Sequence, residues 1–547
     1  MKFLAYSVAA ALLVGGLSNC GDSNPSTNPT APTVPAGGVA FTDTDTNLSE
    51  IGGTVTITKA SDESNITAYE LWYGSDATTK LAGSGLVSAV AKTGGNPTYS
   101  IPADTQLLQG ATHFLVYPKN DAGTYATPIS AQIVDVGQVS IFGAVDGGAV
   151  TGINKDPIRD ASQSQLASFN SKLYSCWVEK NPTGITQVRA VVYNGNDAAP
   201  GWQFVDGNGA NGLNKDATAN ANFCYLASAN SKLYMTWTES NGVIPQIRVA
   251  VYNGNDAAPA WAFVDGNGAN GINKNAAKNA TSSRLAVLNS KLYAAWTENN
   301  TSNQVRVAVY NGNDTAPAWA FVDGNGANGI NKDTTRTAAN VDIVVFNQKL
   351  YLSWEELNVA VTSQIRVAVY NGNDVSASWS FVDGNGANGI NKDTDFDAYE
   401  PSLEVVGNKL YILMTQDTAT VYQVRAAVFN GNDQSSAWTF VDGANGLAKD
   451  STLPADAPRA IVVANVLYAI WDEETSAAGT QVRVAAYNGN DQSPAWTFVD
   501  GNGVNGLNKD PDYNALNASA AVVNNKLYIS WTESSATVRQ IHISRGK

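Results

Sequence analysis

Lys291 to Glu298 reads KLYAAWTE, with large and small residues alternating along the run. Strict alternation over this length is the signature of a β-strand. The run is one copy of a repeat. Its Leu-Tyr-x-x-Trp-x-Glu core returns at Tyr174, Tyr234, Tyr293, Tyr351, Tyr411, Tyr468 and Tyr528, about every sixty residues. A fixed period of that size denotes an array of like supersecondary units.

Working outward from Lys291, each unit reads as four short strands. Ser283 to Leu288 is an apolar run, and Asn289-Ser290 is a turn into the strand Lys291 to Glu298. The loop Asn299 to Asn303 leads to Gln304 to Tyr310, rich in β-branched residues, and then to Asn311-Gly312-Asn313-Asp314 and Trp319 to Val322. Asn-Gly is a strong hairpin signal, because both residues accept the positive φ of a type I′ turn. Four antiparallel strands repeated radially make a β-propeller blade. The sequence therefore predicts an all-β chain: a seven-bladed propeller over residues 138–547, preceded by a small β-sandwich.

Ring closure is legible too. The seventh unit lacks the Trp-x-Phe-Val-Asp-Gly strand, and Phe142 to Gly147 (FGAVDG) aligns with it upstream of the first unit. That segment is expected to complete the last blade. An open solenoid would need polar capping repeats, and none is evident.

Several side chains recur in nearly every unit. Tryptophans stand at Trp177, Trp237, Trp296, Trp354, Trp471 and Trp531, with Met414 in the fifth unit. Arginines stand at Arg189, Arg248, Arg306, Arg366, Arg425, Arg483 and Arg539. Pairing Glu298 with Gln304 sets Trp296 opposite Arg306, a cation–π arrangement that a nearby glutamate would neutralise. Residues repeated this faithfully are expected to be structural. The fifth unit, with Met414 and Gln416, is expected to be the weakest.

Asp256 precedes Trp261 by five residues in NGNDAAPAW, and the same spacing joins Asp197 to Trp202 and Asp314 to Trp319. This resembles the Asp-box of sialidase-like propellers, with Gly254 and Ala258 replacing its Ser and Gly. In that family the box is a structural staple on the face opposite the active site. A sialidase also needs three convergent arginines, a Tyr-Glu nucleophile and an acidic Asp at unique positions, whereas arginine, tyrosine and glutamate recur here around the whole ring. The Phe-Arg-Ile-Pro signature is absent. Two carboxylates at about 5 Å or 6.5–9.5 Å could still meet in a central pocket.

The N-terminus points to export. Lys2 followed by the apolar Phe3 to Leu17 reads as a signal peptide, too short to span a bilayer. Leu17-Ser18-Asn19-Cys20 resembles a bacterial lipoprotein signal over residues 1–20, which implies lipidation at Cys20 and a place on the outer membrane or cell surface. Residues 21–38 are rich in Pro, Ser and Thr and read as a tether. Residues 39–137 read as the sandwich. Leu108 to His113 and Asn120 to Gly123 are similar to the end of a fibronectin type III domain, with His113 at the position of its corner tyrosine.

A net charge of −15 excludes nucleic acid as a partner. Cys176 and Cys224 are expected to be small buried apolar residues, although a disulfide between them is conceivable. No cofactor is expected. The loop Asp265 to Lys274 superficially suggests a Ca²⁺ site but lacks the bidentate glutamate. Its Gly and Asn residues either supply positive φ or offer groups to a sugar. The sequences that follow this loop vary from unit to unit. On that basis the expected ligand residues are Arg159, Asp265, Asn267, Asn270, Arg336, Asp395, Asp397 and Tyr513. The expectation is a monomeric, non-enzymatic binding or adhesion module for an extracellular glycan or protein. The alternatives are a sialidase-like glycosidase or lyase, and a structural envelope protein.

Overall fold

The computed structural model describes residues 30–45, 50–108, 110–134, 142–147, 152–207, 209–266, 268–324, 326, 328–384, 386–476, 479–500, 506–535 and 537–546. Cys20 and Asn267 lie outside them. The chain forms two compact units.

The smaller unit holds two sheets. One joins Gly38–Asp43, Glu50–Thr58 and Thr98–Gln106; the other centres on Ala68–Gly74 and His113–Asn120. Alternating Ile51, Val55, Ile57, Tyr69, Leu71, Phe114 and Val116 fill the shared core. The described part of the expected tether belongs to this sandwich. Ala36 is buried, Val34 packs on the core, and the Thr30 carbonyl accepts from Asn65 and Asn120.

The larger unit is seven four-stranded antiparallel sheets. In blade 3 the strands a to d are Ala280–Leu288, Lys291–Asn299, Asn303–Tyr310 and Trp319–Phe321. Blade 1 runs from Ala161–Phe169 to Trp202–Phe204, and blade 6 from Ala455–Val463 to Trp496–Phe498. Blade 7 takes Asn514–Val523, Lys526–Ser534 and Arg539–Gly546, and its fourth strand is Phe142–Ala144. Arg545 pairs with Gly143 and Ser544 with Ala144. The upstream segment thus closes the ring and gives blade 7 the fourth strand that the other blades have.

Three sets of contacts explain why the repeat residues recur. First, each strand-b tryptophan is fully buried, and its indole N–H bonds the glutamate two residues on, at 2.9 Å for Trp177 and Glu179. That glutamate also accepts the Lys155 and Asp156 amides, fixing the loop into the blade. Second, in blades 1 to 6 the framework arginine faces the tryptophan in register, or Met414 in blade 5, but pairs with the aspartate of Val-Asp-Gly. Arg248 reaches Asp265 at 3.1 Å and Arg306 reaches Asp323 at 3.0 Å. The expected glutamate partner stands farther away, 3.9 Å from Arg248. Third, Lys172 and Tyr174 of blade 1 bond Asp256 on the c–d turn of blade 2, at 2.6 and 2.9 Å, and Tyr252 bonds the same carboxylate. This is a blade-to-blade staple. Blade 7 has no such turn, and blade 6, which would reach for it, carries Val466 in place of the lysine.

Three expectations are corrected. In blade 7 the residue opposite the tryptophan is His542, not Arg539, which lies three positions earlier against Ser534. His542 Nδ1 meets Asp146 at 2.6 Å, so an imidazole takes the guanidinium's place. Cys176 and Cys224 are joined in a disulfide between blades 1 and 2. The type I′ geometry belongs to the a–b turns, where Asn289 and Ser290 both have positive φ; in the Asn-Gly turn only Gly312 does.

Candidate functional site

The innermost strands break the repeat. All seven carry a β-bulge, placed in blade 3 between Thr281 and Arg284. The third residue of strand a, or the fourth in blade 7, has positive φ: Gln163, Phe223, Ser282, Asn340, Glu400, Ala457 and Asn517. Such a conformation costs a non-glycine residue free energy, and it persists only where the surroundings over-determine it. Here the preceding blade does so. Glu355 Oε1 accepts the Glu400 amide at 2.7 Å, Asp472 Oδ2 the Asn517 amide at 2.9 Å, and Thr415 Oγ1 the Ala457 amide at 3.1 Å.

The bulges turn their side chains into a polar axial cavity of about 120 Å³. Its lining comes from all seven blades and includes Gln163, Gln165, Phe223, Ser282, Arg284, Asn340, Glu400, Arg459 and Asn517. The residues two places beyond the bulge differ in charge around the ring: Gln165, Tyr225, Arg284, Asp342, Ser402, Arg459 and Ser519. Nothing in the framework requires that variety.

Acidic side chains gather on blades 4 to 6. Glu400 lines the cavity and accepts the Ala457 amide at 2.9 Å and the Thr415 hydroxyl at 3.4 Å. Burial, with the Glu400 and Glu474 charges, pushes Asp456 up to about 6. Asp472 is raised well above its usual value by burial, and the charges of Asp456 and Glu400 add to this. Burial also raises Glu355, against hydrogen bonds from Asn340 and the Glu400 amide. Burial, with the Asp342 charge, raises Glu404 to about 7. Closely grouped carboxylates with raised pKa values are what general acid–base chemistry requires.

The expected ligand loop is taken up by the framework. Asp265 is 4% exposed and holds Arg248 and Lys215. Its carboxylate therefore serves ion pairs, where a Ca²⁺ ligand would need it open. Asn273 latches the Ile247 amide and the Lys278 carbonyl, and a side chain on Gly271 (φ 58°) would collide with the Ile247 carbonyl. Asn270 sits half-buried in a short turn.

Arg159 lies near Asp156 at 3.7 Å, and Arg336 near Asp333 at 3.8 Å. Asp395 caps a turn through its amide, and Tyr513 gives its carbonyl to Asn508. These residues occupy separate blades, and none lines the axial cavity. Asp397 alone adjoins the acidic group, accepting the Tyr399 hydroxyl at 2.9 Å beside Asp417. Among the described residues no group of three or more His, Cys, Asp or Glu could hold a metal. The channel residues had a sequence signal, the divergence of strand a between otherwise like repeats.

No protein-family model and no curated protein sequence matches the chain. Solved structures do. The polysaccharide lyase Uly1 is 8% identical over 70% of this chain and 88% of its own, with a TM-score of 0.46. An α-L-arabinofuranosidase from Fusarium graminearum is 13% identical over 59% and 91%, with a TM-score of 0.37. Another, from Lactobacillus brevis, is 12% identical over 50% and 92%, with a TM-score of 0.31. At these identities the likeness is one of fold. These neighbours are hydrolases and a lyase, which goes against the expectation of a non-enzymatic module.

Proposed function

We propose that the chain is a carbohydrate-active enzyme, a glycoside hydrolase or lyase, working at the bulge end of the axial channel. One observation carries this: blades 5 and 6 place the unlike carboxylates Glu400 and Asp456 side by side, where the corresponding residues of other blades are mostly uncharged. Asp456, raised to about 6, suits the role of proton donor to a departing sugar oxygen. Glu400 faces the cavity and suits the partner role, as base or as stabiliser of positive charge on the sugar ring. Phe223, 40% exposed at the same rim, offers a ring face on which a sugar can stack.

The Glu400→Gln and Asp456→Asn variants test this against a panel of plant and algal polysaccharides. Reducing-end release and absorbance of unsaturated uronates are the readouts. Loss of at least a hundredfold in rate with unchanged melting supports the assignment. Full activity in both variants removes it.

We further propose that the protein is exported and held at the cell surface by acyl chains on Cys20. The residues Leu17 to Cys20 support this, as does the Cys176–Cys224 bond, since disulfides persist in oxidising compartments. Metabolic labelling with palmitate, abolished by Cys20→Ala, is the test.

A further inference from the structure

Arg284 and Arg459 are set apart from every framework arginine. They occupy equivalent positions on strand a of blades 3 and 6, three blades apart in a ring of seven, so they enter the axial cavity from nearly opposite sides. Framework arginines meet an aspartate at 3.0–3.3 Å. Among the described residues, neither Arg284 nor Arg459 has a carboxylate within ion-pair distance. Arg284 Nη1 donates to the Ser283 carbonyl at 3.2 Å, and Arg459 Nη1 to the Pro458 carbonyl at 2.8 Å. These are bonds to their own backbones, and they leave the rest of each guanidinium fork toward the cavity. The Tyr225 ring, 5.0 Å from the Arg284 guanidinium, holds it in place.

This chain carries 48 acidic residues, yet it keeps two half-buried cations facing each other unpaired. Removing charge from water without a partner is costly. Asp342 acts on both guanidinium groups from beyond ion-pair distance. It spends an oxygen on the Leu403 amide, and burial raises its pKa although the charges of Arg284 and Arg459 favour the carboxylate. Burial likewise raises Glu404 to about 7. Among the described residues Glu400 is the one acid that lines the cavity, and it is bonded to Ala457 and Thr415. A cavity of about 120 Å³ admits one carboxylate or sulfate group. Guanidinium forks recognise both by paired N–H donors.

Resting on the enzymatic assignment above, we infer that the substrate is an acidic polysaccharide, one of whose uronate carboxylates or sulfate esters docks between Arg284 and Arg459. The ring bearing that anion then lies across the bulge rim, beside Glu400 and Asp456.

The test is calorimetric binding by the full chain, kept separate from turnover. The probes are polygalacturonate, dextran sulfate, neutral dextran, and free sulfate and acetate ions. The inference expects at least tenfold tighter binding of one acidic polymer than of dextran. Preference for polygalacturonate assigns a carboxylate, and preference for dextran sulfate a sulfate ester. Arg284→Met and Arg459→Met each lose at least tenfold in that binding, and Arg→Lys variants lose less. Melting without ligand stays equal or rises, because an unpaired buried charge is gone. Equal binding of dextran, or binding unaffected by the Met variants, overturns the inference. Free sulfate or acetate binding as tightly as the polymers also overturns it, by making this a free-anion site. Should the Met variants not fold, the Lys variants and the salt dependence of polymer binding give the same decision. Cleavage of neutral glycans alone sinks this inference and leaves the enzymatic assignment standing. Arginine-dependent capture of an acidic polymer with no turnover does the reverse.

Discussion

Trp202 Nε1 donates a 2.8 Å hydrogen bond to the carbonyl of Val145, a residue of the segment that completes blade 7. The same bond links Trp261 to Val205 and Trp319 to Val264 between consecutive blades. Val145 therefore does for the first and last blades what the array does everywhere else. Deleting residues 142–147 should lower the melting temperature far more than Trp202→Phe, which removes one bond worth about 1 kcal/mol. Calorimetry of both variants checks the ranking.

The Lys–Asp staple predicts an asymmetry. Lys172 is half-exposed, so Lys172→Ala should cost no more than about 1 kcal/mol. Asp256→Ala strips two tyrosine hydroxyls and the lysine of their shared acceptor and should cost about 1–3 kcal/mol. Val466→Lys should be neutral, since blade 7 offers it no aspartate. Denaturant midpoints of the three variants decide this.

In blade 5, Gln416 accepts the Lys392 amide at 3.0 Å and donates to the Asp393 carbonyl at 2.6 Å. Gln416→Glu restores the residue of the other blades but loses the donor, and Met414 supplies no indole N–H. The single change should destabilise by about 1–3 kcal/mol, and the double change Met414→Trp with Gln416→Glu should recover most of that. Amide exchange in blade 5 reports it locally.

Glu404 is raised from the usual 4.5 to about 7 by burial. Between those values the folded chain keeps a proton that the unfolded chain has lost. Its contribution to stability is therefore complete below pH 4.5 and disappears as pH rises through 7. Glu404→Gln should remove that slope, worth on the order of 3 kcal/mol at one pKa unit per 1.36 kcal/mol. Melting curves from pH 4 to 8 measure it.

If Asp456 donates a proton, turnover should fall as pH rises past about 6, its raised pKa. The limb should vanish in Asp456→Asn along with most of the rate. A rate–pH profile on a cleaved polysaccharide shows whether it does.

The framework was legible because its residues repeat. Leu-Tyr-x-x-Trp-x-Glu and Trp-x-Phe-Val-Asp-Gly gave the strands, and the Phe142 segment gave the closure. The site was legible only in what fails to repeat. Strand a of blade 3 was expected to begin at Ser283, but it begins at Ala280, because a bulge at Ser282 breaks the alternation on which strands are recognised. Arg284, Glu400 and Asp456 lie within or just beside such bulges. Arg539 was misassigned because spacing alone does not reveal that His542 holds the paired position. The Asp265 loop looked open because its partners, Arg248 and Lys215, are distant in sequence.

Val466 has a consequence for assembly during folding. Near-identical sheets invite a slip of one whole repeat, in which a strand docks against the wrong copy with almost every contact intact. Most lysines along the array would find an equivalent aspartate after such a slip. Val466 would then face a carboxylate it cannot neutralise, and some lysine would meet empty space. This one aliphatic side chain would disfavour a shift of the array by a whole repeat.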